Sequence, residues 1–395
     1  MAPVTPPASR DTSVDALRGL VMIIMALDHA RDLFNCQAMV FSPEDLARTT
    51  PALFFTRWVT HFCAPVFMVT AGLGAFLWLN RGRTASQLSN FLWKRGFWLV
   101  VLELTVLRFA MFFSLTSAPV ILTVLWALGW SMVALSILIH IPTRTLAIAS
   151  VAVIALHNLT DGISAAQFGS FAWLWNVLHQ SGGFFVFGAM VIVGYPLVPW
   201  FAVMAAGFCL GRVLTFDAER RRRVLTCLGL AMMVAFFLLR ALSKYGDPRL
   251  WVIAGPTETI LSFLNCTKYP QSLDFLLMTL GPALLFMAWI DKLKLSNWNP
   301  LLVFGRTPLF FFLVHFLLIH LFAFPLALLR YGRIDFLLHP LPSLGGDAKL
   351  YPAGYGYSLG GVYLIWISAV LLLYPLCRWF SGVKRRRKDW WLSYL

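Results

Sequence analysis

The densest set of ionisable side chains in this 395-residue sequence lies inside an apolar run near its start. Asp28, His29, Arg31 and Asp32 fall within five positions. Each charge at mid-bilayer costs about 2.5–3.5 kcal/mol on insertion scales, so charges kept there usually pair or serve a function. A histidine beside carboxylates can act as a general base or as an acyl carrier. We therefore favour a functional role for this group over anchoring in lipid headgroups.

The same apolar run carries polar residues toward its N-terminal end. Asp15, Arg18, His29 and Asp32, with two methionines between them, follow spacings of three and four residues and so share one helical face. Asp15 and His29 are separated by about 21 Å along a helix. We expect Asp15 and Arg18 near one membrane face and His29 near the other. For Asp15 and Arg18, a structural ion pair remains an equal alternative to a functional role.

A second histidine, His61, lies in the first turns of the next apolar run. Arg57 and Thr60 precede it and Pro65 follows one turn later, so a helix kink is expected beside the ring. A lone histidine inside a membrane helix is often only a contact between helices. The expected depth of His61 in the membrane is similar to that of His29, which favours a functional role for His61.

A third polar group follows Asn299. Gly305 and the nearby prolines predict a helix break, which would place Arg306 on irregular backbone lining a cavity. His315 is expected near mid-membrane, and His320 points about 140° away from it on an ideal helix. No HExxH or other close pair of metal ligands occurs, so we expect no metal site.

Long apolar runs determine the fold class. The chain is 59% hydrophobic and only 12% charged, with a mean hydropathy of +0.75. About 20 apolar residues cross a hydrocarbon core. The sequence therefore predicts an all-α, polytopic membrane helix bundle of about ten transmembrane helices. We expect the spans at 14–34, 53–79, 91–113, 119–140, 144–158, 187–211, 224–242, 271–290, 301–325 and 358–380.

The charges of the connecting loops predict the topology. Connections at 80–90, 141–143, 212–223 and 291–300 and the C-terminal tail hold most of the Lys and Arg, as cytoplasmic segments do. Both termini are then cytoplasmic. The expected organisation is a cytoplasmic N-terminal tail at 1–13, a transmembrane domain at 14–380 and a basic cytoplasmic tail at 381–395. The aromatic stretch from Phe171 to His179 is expected to lie at the interface or to fold back as a lid.

The net charge of +15 does not indicate nucleic-acid binding. The cations form short runs beside apolar segments, and no nucleic-acid-binding motif accompanies them. The six cysteines show no paired spacing, which argues against a disulfide scaffold or a zinc motif. A bridge between Cys36 and Cys266, both in predicted outer loops, remains open.

The sequence resembles the transmembrane acyltransferases of the heparan-α-glucosaminide N-acetyltransferase type, and their bacterial relatives in particular. The run Asp15-Ala-Leu-Arg18-Gly19 through Asp28-His29 carries the likeness. Supporting segments are Thr60 to Gly72, Tyr195 to Trp200, Gly207 to Arg212, the Lys268-Tyr-Pro-Gln-Ser-Leu run, Asn299 to Arg306 with His315, and the closing Trp390-Trp-Leu-Ser-Tyr-Leu. The likeness covers nearly the whole chain and rests on the order of these motifs.

The resemblance implies an acyl transfer across the membrane. Acetyl-CoA would be used as a co-substrate on the cytoplasmic side, and an amine or hydroxyl acceptor would receive the acetyl group on the other side. The catalytic histidine of the eukaryotic enzyme precedes its second span, about where this chain has Ala47 to Pro51 and no histidine. A polar position that is asparagine in that enzyme matches Asp28. The nearest outer-facing histidines are His29 and His61.

We thus expect an acyl-CoA-dependent acyltransferase of the cytoplasmic membrane, with acetyl as the expected acyl group and a glycan or cell-envelope component as acceptor. The expected catalytic residues are His29, His61, Asp28 and Asp32. CoA phosphates would contact Arg18 and Arg306, with Asp15 and Asn299 beside them. The acceptor would contact Lys268, His179 and His315.

Two other functions remain open. A proton-coupled transporter of small solutes also needs buried Asp, His and Arg, although no internal repeat of the kind found in many transporters is seen. A scaffold without catalysis is the third alternative. We expect the lipid bilayer, acyl-CoA and the acceptor as partners, no permanently bound cofactor and a possible homodimer.

Overall fold

The computed structural model describes residues 11–113, 119–342, 346–387 and 389–394. Most of the predicted N-terminal tail therefore lies outside the described residues. The chain is mostly helical. Its α-helices are α1 Thr12–Phe34, α2 Pro51–Trp58, α3 Cys63–Leu79, α4 Ala85–Leu102, α5 Arg108–Phe112, α6 Val124–Leu138, α7 Thr143–Leu156, α8 Ala172–Leu178, α9 Trp200–Leu210, α10 Ala218–Leu242, α11 Pro256–Leu264, α12 Leu273–Ile290, α13 Pro300–Gly305, α14 Pro308–Tyr331 and α15 Leu359–Arg386.

Six helical stretches in the described part of the chain are long and apolar enough to cross a membrane. They are Pro51–Leu79, Thr143–Thr160, Ala218–Leu242, Leu273–Ile290, Pro308–Tyr331 and Leu359–Arg386, and each matches a predicted span. Val124–Leu138 and Trp200–Thr215 are apolar but shorter. Helix α1 is not among these six stretches because it carries too many charged residues, although it covers the whole of the first predicted span, 14–34. The count of ten spans and the side of the termini stay predictions.

The sheet departs from the all-α expectation. Strands β1 Val120–Leu122, β2 Gly182–Val186 and β3 Ala189–Val193 form it in the order β1-β3-β2. Strand β3 pairs parallel to β1 and antiparallel to β2. The predicted helical span at 187–211 is therefore wrong in its first half, and helix starts only at Trp200. Gly188, with φ of 81°, makes a tight turn, and Pro196 and Pro199 lack the N–H that a helix interior needs.

A buried carboxylate fixes the start of α6. Glu103 lies in a short π-helix, Glu103–Leu107, between α4 and α5. It accepts hydrogen bonds from the backbone N–H groups of Thr123, Leu125 and Trp126 at 2.8, 3.1 and 3.3 Å. These donors are unsatisfied at a helix N-terminus, so the carboxylate acts as its cap.

Close helix packing positions the N-terminal half of α1. A Cβ atom on Gly19 would lie 1.9 Å from the backbone oxygen of Leu301, and one on Gly305 would lie 1.7 Å from that of Asp15. Only glycine permits this approach of α1 and α13, as small residues commonly do between membrane helices. The contact brings the polar end of α1 beside Arg306.

Candidate functional site

The C-terminal end of α1 supplies the central acidic group of the site. Asp28 and Arg31 are three residues apart, and their charged groups lie 2.9 Å from each other. Arg31 also pairs with Asp32 at 2.5 Å. The helix ends at Phe34, where Asn35 leaves the helical conformation and its side chain accepts hydrogen bonds from the next turn. The four ionisable residues predicted from the sequence thus stand on the last turns of one helix.

Helix α2 brings a guanidinium group onto the same carboxylate. Arg57 Nη1 lies 2.9 and 2.8 Å from the two carboxylate oxygens of Asp28. Thr60 donates its hydroxyl hydrogen to Asp28 Oδ1 at 2.8 Å. Asp28 therefore has three protein partners, Arg31, Arg57 and Thr60. It is held in one orientation by two helices.

A loop residue that the sequence reasoning missed completes this network. Glu44 Oε1 accepts a hydrogen bond from Arg57 Nε at 3.0 Å and lies 3.1 Å from His61 Nε2. Burial raises the pKa of Glu44, but the charge of Arg57 and the hydrogen bond with His61 outweigh burial and hold the pKa well below its ordinary value. The available signal was Arg57 itself, because an arginine inside an apolar run needs a carboxylate partner.

A cavity of about 820 Å³ opens beside this network. Asp28, His29 and Asp32 line it, with Arg57 and Lys268. Its apolar walls include Met25, Phe67, Phe312, Phe316 and Ile319, and residues of the hairpin formed by β2 and β3. A charged floor within apolar walls is typical of a binding site for a small molecule.

The two candidate catalytic histidines occupy different environments. His29 lies on the cavity wall and is half-buried. His61 is 1% exposed, is absent from the lining and packs against Phe275. The structure therefore brings His29, but not His61, to the space where a substrate would bind.

Aromatic packing, rather than a carboxylate, holds the His29 ring. Its centroid lies 3.9 Å from that of Phe316 and 5.2 Å from that of His315. Among the described residues, neither Asp28 nor Asp32 makes a hydrogen bond to His29. Since Asp28 is occupied by Arg31 and Arg57, its effect on the imidazole is through charge alone.

His315 lies behind His29, away from the open space. It is fully buried, and its Nδ1 is 3.0 Å from the backbone oxygen of Phe311. Its Nε2 has no hydrogen-bond partner among the described residues. Its neighbour His320 lines the cavity and lies within hydrogen-bond distance of the backbone oxygens of Ala110 and Leu337. As expected from their angular separation, the two rings face different surroundings.

Lys268 lies on the cavity wall beside an unusual tyrosine pair. The Lys268 ammonium lies 5.2 Å from the centre of the Tyr269 ring, and the hydroxyl groups of Tyr269 and Tyr195 are 3.4 Å apart. Burial raises the pKa of Tyr269, but the charges of Lys268 and Arg57 outweigh it and lower the pKa. Burial and the Tyr269 charge raise the pKa of Tyr195.

His179, a predicted acceptor contact, lies elsewhere. Its Nε2 is 2.9 Å from Thr160 Oγ1 and 3.4 Å from Asp161 Oδ1. The side chain is buried and is absent from the cavity lining. The structure does not bring His179 together with Lys268 or His29.

The second predicted cluster does form, at the N-terminal end of α1. Arg18 Nη1 lies 4.0 Å from Asp15 Oδ1, and Arg306 Nε lies 3.8 Å from Asp15 Oδ2. Arg18 also donates a hydrogen bond to the backbone oxygen of Thr70 in α3. Asn299 accepts from Leu301 N at 3.0 Å and so caps α13. The Asn299 side chain therefore stabilises the start of α13, the short helix that ends before Arg306.

The helix break expected before Arg306 is present. Helix α13 ends at Gly305, and α14 begins at Pro308. Arg306 therefore lies between two helices, with its Nη2 2.9 Å from Asn297 Oδ1. Within the described ranges, no three His, Cys, Asp or Glu side chains converge in a way that would hold a metal ion.

Comparison with protein families, rather than with individual curated proteins, identifies the family of the chain. No curated protein matches the chain. The family model described as heparan-alpha-glucosaminide N-acetyltransferase, catalytic, matches residues 10–252. This range contains the α1 cluster, Glu44, Arg57 and His61, while Lys268, Arg306 and His315 follow it. Since the match covers more than half of the chain, the protein belongs to the heparan-alpha-glucosaminide N-acetyltransferase family.

Proposed function

We propose that this protein is a membrane acetyltransferase that moves an acetyl group from acetyl-CoA to an amine or hydroxyl of an acceptor. The observation that carries the proposal is the position of His29. Its ring lies on the wall of the 820 Å³ cavity, next to two carboxylates of its own helix. The family to which the chain belongs supports the reaction class.

In this proposal the donor and the acceptor meet along α1. Arg18 and Arg306, which flank Asp15, hold the CoA phosphates by charge-assisted hydrogen bonds. His29 lies about 21 Å farther along the helix than Asp15. The extended pantetheine arm would carry the thioester toward the cavity. In this proposal Arg18 is on the cytoplasmic side and the cavity on the outer side, as the loop charges predict.

The proposed chemistry is general-base catalysis by neutral His29. The imidazole accepts the proton of the acceptor nitrogen or oxygen as that atom attacks the thioester carbonyl carbon. The carbon–sulfur bond then breaks, and the imidazolium returns the proton to the CoA thiolate. The ammonium of Lys268, on the same cavity wall, would stabilise the oxyanion that forms between these steps.

Asp28 acts in this mechanism as a positioning residue. Its oxygens are engaged by Arg31, Arg57 and Thr60, so it orders the cavity floor and supplies negative charge near the imidazole. Glu44 extends this order by holding Arg57 from the opposite side. The acceptor in this proposal is a glycan or another cell-envelope component, since the cavity lies on the predicted outer side.

The experiment uses the full chain reconstituted in lipid vesicles, with labelled acetyl-CoA as donor and glucosamine as the acceptor probe. We expect acetylated glucosamine, and a loss of at least about a hundredfold in kcat for His29→Ala. His61→Ala tests the rival base: its ring lies outside the cavity and binds Glu44, so its loss should lower turnover less than His29→Ala does. If His29→Ala kept more than a tenth of wild-type turnover, the assignment of the base would be wrong.

The same vesicles distinguish acyl transfer from transport. Labelled glucosamine that accumulates inside the vesicles unmodified, in response to a proton gradient and without consumption of acetyl-CoA, would contradict the proposed reaction. Free CoA should otherwise appear in equal amount to the acetylated product, since each transfer releases one thiol.

A further inference from the structure

The hairpin of β2 and β3 belongs to a segment that differs from its neighbours in charge. Between Asp161 and Arg212 the sequence contains no Asp, Glu, Lys or Arg. Three other connections at the same end of the molecule carry charges of both signs, whereas residues 114–118, before β1, include no charged residue. Examples of the charged residues are Glu44 and Arg48 in 35–50, Asp247 and Arg249 in 243–255, and Asp335 and Lys349 in 332–358.

These connections do lie at one end. The backbone N–H of Cys36 binds the oxygen of Tyr357, and Asn265 donates a hydrogen bond to the backbone oxygen of Glu44. Gly182 of the hairpin and Leu341 line the same cavity. The uncharged segment therefore lies beside three charged ones. Since all four are at the same end of the molecule, the lack of charge indicates that this segment has different surroundings from the other three.

The tip of the hairpin presents aromatic side chains outward. Phe187 is fully exposed, and Phe185 is 72% exposed. Phe171 and Trp173, just before and within α8, are also exposed. A contiguous exposed apolar surface of this kind on a soluble face would be a liability in water. Phenylalanine and tryptophan side chains instead suit the boundary between headgroups and acyl chains.

The turn itself uses a residue that local backbone preference disfavours. Phe187 and Gly188 form a two-residue loop with φ of 48° and 81°. Positive φ at both positions defines a type I′ turn, in which asparagine is preferred where Phe187 stands. Phenylalanine is thus a poor residue for this turn, and exposure of its side chain to water would also be unfavourable. Contact with lipid gives this side chain a favourable environment.

The strand order limits how deep the hairpin can lie. Strand β2 is at the edge of the sheet, so one row of its backbone N–H and C=O groups has no strand partner among the described residues. Such groups cannot be satisfied in hydrocarbon but can bind water or headgroups. The membrane–water interface suits both the aromatic tip and the unpaired edge of β2. Bulk water does not suit the aromatic tip, and the bilayer core does not suit the unpaired edge.

We propose that the hairpin and the exposed aromatic residues before it form an interfacial element that lies in the lipid leaflet at the cavity end. Gly182, Ile192 and Val193, at the end of the hairpin away from the turn, line the cavity. One hairpin therefore reaches from the cavity to the lipid. This role is independent of the proposed acetyl transfer.

The test measures the surroundings of position 187 directly. Cys36, Cys209 and Cys227, the cysteines that are not buried, are replaced by Ser, and the three buried cysteines are kept. A nitroxide is attached to Phe187→Cys in vesicles of phosphatidylcholine and phosphatidylglycerol. Power saturation then compares collisions with oxygen, which concentrates in lipid, and with a water-soluble nickel chelate. Lys349→Cys, exposed in a charged loop at the same end, is the matched control.

We expect the ratio of oxygen to nickel collisions to be several-fold higher at position 187 than at position 349. A ratio equal to that at 349 would overturn the proposal, because the tip would then lie in water. Spin–spin broadening between labels at 187 would also overturn it, since a second copy of the chain would then cover the tip.

A second variant separates lipid contact from turn stability. Phe187→Asn should suit the type I′ turn better than phenylalanine, so the hairpin should persist. With the nitroxide at Phe185→Cys, we expect this substitution to shift the collision ratio toward the aqueous value. An unchanged ratio would show that Phe187 does not hold the hairpin in the leaflet and would contradict the proposal.

Discussion

Arg57 and Asp28 form the central ion pair of the cavity floor, with Nη1 of the arginine 2.9 and 2.8 Å from the two carboxylate oxygens. The two side chains are only 12% and 13% exposed. Removal of one partner from such a pair leaves an uncompensated charge, which typically costs about 3–5 kcal/mol. We expect Arg57→Gln to lower the thermal stability of the detergent-solubilised protein substantially.

An exposed pair provides the control for this substitution. Arg223 and Glu219 also form an ion pair at 3.0 Å, but their side chains are 74% and 78% exposed. Exposed pairs contribute about 0.2–1 kcal/mol. Arg223→Gln should therefore leave the melting temperature nearly unchanged. Equal changes in melting temperature for the two variants would contradict the expected stabilisation by the Arg57–Asp28 pair.

Glu44 predicts a dependence of stability on acid. Its pKa in the folded protein is held well below its ordinary value of 4.5 by Arg57 and His61, against the effect of burial. The charged form therefore stabilises the folded state fully above about pH 4.5. As the pH falls below that value, the unfolded chain binds the proton first and the stabilisation decreases. We expect the stability difference between wild type and Glu44→Gln to be constant near neutral pH and to shrink in acid.

Chemical unfolding at a series of pH values measures this difference. Asp45→Asn, a substitution of the half-buried neighbouring carboxylate, is the control. A difference between wild type and Glu44→Gln that grows as the pH falls would contradict the predicted role of the Glu44 carboxylate.

Arg18 and Arg306 should affect donor binding selectively. A charge-assisted contact contributes about 1.5–3 kcal/mol, so replacing either arginine by Gln should raise the KM for acetyl-CoA about ten- to a hundredfold. The KM for the acceptor should change little. Arg223→Gln, an exposed substitution away from Asp15, controls for the loss of one positive charge. An unchanged KM for acetyl-CoA in folded Arg306→Gln protein would remove this residue from the donor site.

Gly305 should be intolerant of a side chain. A Cβ atom there would overlap the backbone oxygen of Asp15, so α1 and α13 would have to separate. Overpacking of this kind typically costs about 1–3 kcal/mol, and it should weaken donor binding because Arg306 follows Gly305. Gly162→Ala is the control, since nothing lies within 4 Å of the added atom. Equal melting temperatures for both variants would show that the α1–α13 contact is not tight.

The topology can be tested by accessibility of single cysteines. If the basic connections are cytoplasmic, cysteines at Arg81 and Gly382 should resist an impermeant thiol reagent in intact cells. A cysteine at Lys349 should react. Reaction at Gly382 without lysis would contradict an even number of spans.

Some features were predictable because they depend on local sequence alone. The spacing of Asp15, Arg18, His29 and Asp32 places them on one helix, and α1 from Thr12 to Phe34 confirms it. The break between Gly305 and Pro308 follows from the backbone limits of glycine and proline, and α13 and α14 meet there. Apolar length predicted the six helices that are long and apolar enough to cross a membrane.

The hairpin shows where local sequence was insufficient. Residues 187–193 are apolar enough for a helix, but Ala189–Val193 forms a strand that pairs with Val120–Leu122 and with Gly182–Val186. Hydrophobic content cannot distinguish a membrane helix from strands that find partners far away in the sequence. Helices α6, α7 and α8 separate β1 from β3 in the sequence, so the parallel pairing of the two strands depends on how these helices pack.

The sequence by itself thus determined the helical membrane class, the family likeness and the polar stripe on α1, because these depend on composition and on spacing within one element. Tertiary structure alone decided which histidine faces the cavity. His29 and His61 have similar predicted depth, yet Glu44 binds His61 in a buried position while Phe316 packs against His29 at the cavity wall. Such choices depend on contacts between distant segments, which the spacing of residues within one helix does not encode.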